Sequence, residues 1–206
     1  MTRIIAGSRR GRRIAVPPGD ATRPTTDRVR EALFSAIAAW AGTADAGAEA
    51  SLRGLAVADL FAGSGAVGLE AASRGADPVL LVESSARTGA VIARNVTELG
   101  LGGQVTARIE RVERLVRTRP ARTYDVVFVD PPYAFAEAAL ADILAGVVGS
   151  GWVAPDGLVV VERSRRDAGL SWPPGFEEGW RRDYGETTLI FGGARDAEPD
   201  VRATED

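Results

Sequence analysis

Asp59-Leu60-Phe61-Ala62-Gly63-Ser64-Gly65-Ala66-Val67-Gly68-Leu69-Glu70 follows an apolar run beginning at Leu55 and passes into residues with helical spacing. It reads as the place where a first strand hands over to a first helix. Gly63, Gly65 and Gly68 satisfy the G-x-G-x-x-G spacing, which lets a ligand approach the backbone of a strand–turn–helix corner. The same glycines would also serve tight strand-to-helix packing alone. Glu83, at the tip of the next apolar run (residues 78–83), favours the ligand: ribose-binding acids occupy this place in nucleotide-binding βαβ units.

Working outward, apolar runs alternate with amphipathic stretches, the pattern of a parallel sheet covered on both faces. Strands are predicted at residues 55–61, 78–83, 104–109, 124–130 and 157–161, with helices at 67–74, 85–99, 112–118 and 137–148 between them. Residues 176–184 and 187–191, joined at Gly185-Glu186, read as a closing antiparallel hairpin. Upstream, Thr25 and Thr26 are cap candidates for a helix beginning at Asp27, with Val29, Leu33, Phe34 and Ile37 on one face. Residues 3–6 and 12–16 read as a small hairpin around the glycine-bounded Gly7-Ser8-Arg9-Arg10-Gly11, and 41–50 as a loop.

The chain of 206 residues has room for one α/β domain and a short appendage. Three segments are expected: a basic hairpin arm at 1–19, the main domain at 20–193 and an acidic, disordered tail at 194–206. With no His and no Cys, disulfides, thiolate nucleophiles, His-based acid–base pairs and the usual zinc sites are excluded, and no metal is expected. The opening residues lack the apolar core of a signal peptide and no run is long enough for a membrane helix, so a cytoplasmic protein without a membrane partner is expected. The net charge of −3 conceals an asymmetry: residues 1–30 carry eight Arg against Asp20 and Asp27, leaving an acidic body. Such an arm fits a polyanionic partner, or a solvated tail. The first reading assigns phosphate contacts to Arg9, Arg10, Arg12, Arg13, Arg23 and Arg28, and predicts that residues 1–16 are dispensable for stability of the core.

Asp59 divides the nucleoside cofactors. A carboxylate ahead of the glycine loop repels the pyrophosphate of a dinucleotide but attracts the ammonium and sulfonium of S-adenosylmethionine. A dinucleotide-dependent oxidoreductase is the competing class, and it would need a proton-handling group that this chain's lack of His, Cys and Lys withholds. The run Tyr124-Asp-Val-Val-Phe-Val-Asp130-Pro131-Pro132-Tyr133 ends a buried strand at the carboxyl edge, where open α/β sheets bind ligands. Prolines have no N–H, so the corner offers mainly acceptors, the Asp130 carboxylate and the Pro131 carbonyl. Two acceptors suit an exocyclic base amine, whose N–H groups are both donors, and Tyr133 is placed to stack on an extruded base.

These stretches together resemble a known family, the RsmD family of 16S rRNA (guanine-N2)-methyltransferases, within the seven-stranded S-adenosylmethionine-dependent class. The resemblance runs through RIIAGSRRGRRI, RPTTDRVREALFSAI, DLFAGSGAVGLEAASRGA, VLLVESSARTGAVIARN and DVVFVDPPY. It implies a doubly wound sheet in the order 3-2-1-4-5-7-6. It also implies that Asp59, Phe61, Ala62, Gly63, Ser64 and Gly65 hold the methionine end of the cofactor, that Glu83 with Ser84 holds the ribose, and that Arg111-Val112 lies at the adenine. Asp130, Pro131, Pro132 and Tyr133 would form the reaction corner, Asp130 also facing the cofactor. The implied substrate is a guanine in 16S rRNA of the small subunit or an assembly intermediate, and the implied enzyme a monomer. DPPY alone also fits adenine-N6 or cytosine-N4 DNA methyltransferases, which usually need a target-recognition domain for which this chain has no room.

Overall fold

The computed structural model describes residues 2–17, 26–132, 135–166 and 169–194. Its elements are β1 (Thr2–Arg3), β2 (Arg13–Ile14), α1 (Asp27–Trp40), β3 (Val57–Asp59), α2 (Ala66–Ser73), β4 (Val79–Glu83), α3 (Ala86–Leu99), β5 (Val105–Ile109), α4 (Val112–Leu115), β6 (Tyr124–Val129), α5 (Glu137–Gly149), β7 (Val153–Ser164), β8 (Phe176–Tyr184) and β9 (Thr187–Ala194). A seven-stranded sheet runs β5-β4-β3-β6-β7-β9-β8. Counted from β3, this is the order 3-2-1-4-5-7-6. The strands from β5 to β7 are parallel, and β9 joins antiparallel to β7 and β8.

Strand alternation divides the core into two layers. Val57, Val79, Leu81, Phe128 and Val160 face α1, α2 and α3, together with Ile4 and Ile14 of the N-terminal segment. Ala58, Leu80, Val127, Val129, Val159 and Val161 face α4, α5 and Trp152. Near-continuous Val and Leu runs are what strands buried on both faces require. Thr26 caps α1 by accepting from Val29 N–H at 3.3 Å, and Ser85 caps α3 by accepting from Thr88 N–H. At Gly68 in α2 an added Cβ would overlap the Leu81 side chain, so this glycine of the loop serves helix-to-sheet packing.

One expectation changes. The N-terminal segment is docked against the core rather than standing off as an appendage. Ile4 and Ile14 are buried in the main core, and the fully buried Glu70 of α2 accepts from the backbone N–H groups of Ile5 at 2.7 Å and Ala6 at 2.9 Å. Ser73 binds the same loop through Arg9 N–H and the Ala6 carbonyl. Docking of this kind argues against the expectation that this segment is dispensable for stability. Residues 41–54 form turns without helix or strand, in keeping with the loop expected at 41–50, and are anchored by buried Leu52 and by Thr43, which donates to the Ser51 carbonyl at 2.6 Å. The expected arm boundary at residue 19, most of the acidic tail, Thr25, Arg23 and Tyr133 lie outside the described residues.

Candidate active site

A cavity of about 610 Å³ opens at the carboxyl ends of the parallel strands, and Asp59, Glu83, Asp130 and Glu162 all line it. The register explains their convergence. Asp59 pairs with Leu81 and with Phe128, and Val129 pairs with Val161, one residue before Asp130 and Glu162. Continuing the alternation by one residue places all four carboxylates toward the layer of α1, α2 and α3, at the tips of four neighbouring strands.

The glycine loop is built around two of these acids. Asp59, 2% exposed, accepts from Gly68 N–H at 3.2 Å. Glu83 accepts from Gly63 N–H at 3.1 Å and from Ser85 N–H at 2.7 Å. Gly65 takes φ +83 as N-cap of α2, a left-handed conformation that glycine adopts without strain. Glu83 therefore fixes the loop and stands at its rim, while Asp59 sits on the floor. Burial pushes Asp59 up to about 7 against hydrogen bonds from the Gly68 and Phe61 backbones, and Glu83 and Glu162 add to the rise. Burial likewise pushes Asp130 well above the usual carboxylate range, reinforced by Glu162 and Asp59. Asp59 and Asp130, both held back from ionisation, make the cavity a match for a cationic guest.

The reaction corner follows β6. Pro131 is buried, and the Pro132 carbonyl accepts from Phe135 N–H at 2.8 Å. Asp130, Pro131 and Pro132 all line the cavity. Phe135 stands edge-on to Phe61, their centroids 5.6 Å apart, an apolar wall beside the carboxylates.

Of the residues expected at the cofactor, Asp59, Phe61, Ala62, Gly63, Ser64, Glu83, Ser84, Arg111, Val112 and Asp130 line this cavity, as do Pro131 and Pro132. Gly65 is buried just behind the loop. The arginines expected at RNA divide. Arg9 Nε donates to the Leu99 carbonyl at 2.6 Å and Arg12 to the Glu98 carbonyl at 2.7 Å. Both guanidiniums thus engage the C-terminal carbonyls of α3, where the helix dipole favours cations. Arg10, Arg12, Arg13 and Arg28 are exposed, Arg12 while bonded to α3. Among the described residues no three acidic, His or Cys side chains meet in a way that could hold a metal ion.

Sequence reading missed Glu162 and the wall formed by Val16 and Pro17. Glu162 ends the apolar run Leu158-Val159-Val160-Val161 as Glu83 and Asp130 end theirs, so its position was a usable signal. Asn95 was also missed. It is 1% exposed, donates to the Ala15 and Ser64 carbonyls, and accepts from Ala15 N–H, each at 2.9 Å. One amide thereby ties the glycine loop to the segment that presents Val16 and Pro17; a lone Asn within the buried stripe of α3 was its trace in the sequence.

The chain is similar to known proteins over most of its length. The family model described as "Conserved hypothetical protein 95" matches residues 2–193. Ribosomal RNA small subunit methyltransferase D of Escherichia coli K12 is 35% identical over 172 residues, covering 84% of this chain and 79% of that protein. The protein of the same name from Haemophilus influenzae is 32% identical over 192 residues, covering 91% and 89%. A solved Escherichia coli structure named for the methyltransferase yhhF superposes with a TM-score of 0.79 at 28% identity, covering 94% of this chain and 98% of that one. With the sheet order, the glycine loop and the Asp130 corner in place, the chain belongs to the RsmD family of methyltransferases.

Proposed function

We propose that this chain transfers a methyl group from S-adenosylmethionine to the exocyclic N2 amine of a guanine in 16S ribosomal RNA, within the small subunit or an assembly intermediate in the cytoplasm. The observation that carries the reading is the convergence of Asp130 and Pro131 on the same cavity as Asp59, Glu83 and Glu162. The relatives named as small-subunit rRNA methyltransferases support the RNA class.

The residues present fit the cofactor. Asp59 on the floor would meet its cationic methionine end, Glu83 the ribose hydroxyls, and the Arg111-Val112 segment at the start of α4 the adenine. When bound, S-adenosylmethionine supplies an electrophilic methyl group on a sulfonium. The chain's contribution is placement. Asp130 and Pro131 accept the two amine hydrogens, hold the nitrogen in one orientation and favour its lone pair over delocalisation into the ring. Phe61 and Phe135 keep the surroundings apolar, which strengthens those hydrogen bonds. As the amine gains its methyl group it must lose a proton, and an Asp130 carboxylate with a raised pKa is the nearest acceptor for it. Arg10, Arg13 and Arg28 would contact phosphates and position the RNA without selecting the base; Tyr133 and Arg23 keep the stacking and phosphate roles given by the sequence.

The test is a mass map of modified nucleosides in ribosomal RNA from a strain lacking the gene. Loss of one N2-methylguanosine from 16S rRNA is the expected result. An unchanged RNA map with altered DNA methylation would replace this reading with a DNA amine methyltransferase.

A further inference from the structure

Among the described residues five carboxylates line the cavity; Glu113 accepts from Arg111 at the start of α4, and the reading above uses three more, Asp59 and Glu83 for the cofactor and Asp130 for the amine. Glu162 remains. It belongs to β7, on the far side of β6 from the glycine loop, so cofactor and Glu162 flank the Asp130 corner from opposite sides. The Val129–Val161 pairing brings Asp130 and Glu162 level on neighbouring parallel strands. Level side chains on adjacent strands start about 4.8 Å apart and can converge on two donors that are neighbours on one ring edge. Glu162 is 7% exposed, so its carboxylate is held in the cavity wall, away from bulk water.

The bases that carry an exocyclic amine differ at the adjacent ring nitrogen. In adenine N1 and in cytosine N3 are acceptors beside the amine, whereas in guanine N1–H is a donor beside the N2 amine. A second carboxylate next to the amine-holding corner therefore attracts guanine and repels the lone pair that adenine or cytosine would place there. We infer that Glu162 is the specificity-determining residue for the base, accepting from N1–H of guanine while Asp130 and Pro131 hold the N2 amine. The inference rests on the guanine-N2 reading and adds the element that selects the ring. The raised pKa of Asp130 beside Glu162 is consistent with a wall of acceptors completed by a guest rich in donors.

The probe is 2-aminopurine, which keeps the N2 amine but has an unprotonated N1. It is placed at the target position found by the nucleoside map, in RNA of otherwise unchanged sequence, and methyl transfer from labelled S-adenosylmethionine is compared with guanine at that position. The wild-type chain is expected to favour guanine at least roughly tenfold in kcat/KM, the scale of one hydrogen bond to a charged group. In Glu162→Gln the preference should narrow, because an amide can donate to N1 of 2-aminopurine as readily as it accepts from guanine. Equilibrium binding of the two RNAs, measured without methyl donor, should show the same narrowing. Equal methylation of both bases by the wild type would overturn the inference and leave the guanine-N2 reading standing. Retention of the full wild-type preference by Glu162→Gln would remove Glu162 from the role. Failure of the wild type to methylate the guanine RNA would overturn both.

Discussion

Asp59 and Asp130 stand at the ends of adjacent strands in one cavity, yet they should fail differently when changed. Replacing Asp59 by Ala removes the attraction for the cationic end of the cofactor. Calorimetry should show S-adenosylmethionine binding weakened by about 1–3 kcal/mol, the range for a charge-assisted hydrogen bond in a partly buried site, and unchanged affinity would separate Asp59 from the cofactor. Asp130→Ala should leave most cofactor affinity and abolish methyl transfer, because the amine loses one of the two acceptors that align it; turnover at the wild-type rate would remove that role. The elevated Asp59 pKa, about 7 against an ordinary 3.8, also predicts a pH dependence. A carboxyl raised in the folded state contributes stability that is full below about 4 and lost as pH rises through about 7. Cofactor binding draws on the ionised form, so affinity should climb with pH up to about 7 and then level off. At pH 6 the binding heat should vary with the ionisation enthalpy of the buffer, reporting proton release, and at pH 8.5 it should not.

At the scale of elements, the N-terminal segment is both a structural layer and a wall of the site. Glu70, buried in α2, receives Ile5 N–H, Ala6 N–H and Arg74 Nε at 2.7–2.9 Å, and Arg30 lies 4.0 Å away. Removing the carboxylate in Glu70→Ala leaves two buried guanidinium groups and two backbone donors short of a partner, so chemical denaturation should show a loss of about 3–5 kcal/mol. Deleting residues 2–16 should likewise lower the melting temperature, and it should weaken cofactor binding because the segment carries the Val16 wall. Arg10 and Arg13, by contrast, project from this layer. Replacing either with Ala should leave melting nearly unchanged while the log–log salt dependence of RNA affinity falls by roughly 0.7–0.9; an unchanged slope would mean that these arginines contact no phosphate.

Across the whole molecule, what the sequence made legible follows from which physics is local. The βα alternation, the glycine loop and the strand ending in Asp130-Pro131-Pro132 are local patterns, and most lie within a residue or two of their reading; α4 ends at Leu115 rather than at 118, and β7 runs from Val153 to Ser164 rather than over 157–161. The partners of a side chain are set by tertiary contact, which spacing does not encode. Arg9 and Arg13 look alike in sequence, but Arg9 meets the end of α3 and Arg13 is exposed. Glu70 sits four residues before Arg74 and could pass for an ordinary surface pair; only the docked hairpin makes it a buried hub. Asn95 was hidden for the same reason, since its partners Ala15 and Ser64 come from two other segments, whereas Glu162 was legible at the end of its apolar run. The central claim unites these levels: strand tips, hairpin and glycine loop assemble a cavity that binds a cationic methyl donor and presents acceptors to a guanine amine. Its most direct measurement uses purified chain, S-adenosylmethionine and small subunits from a strain lacking the gene, with the product RNA digested and its nucleosides identified by mass. The account predicts one N2-methylguanosine per 16S rRNA with the wild-type chain and none with Asp130→Ala. Methylation on adenine or cytosine, or an equal yield from the Asp130→Ala chain, would contradict it.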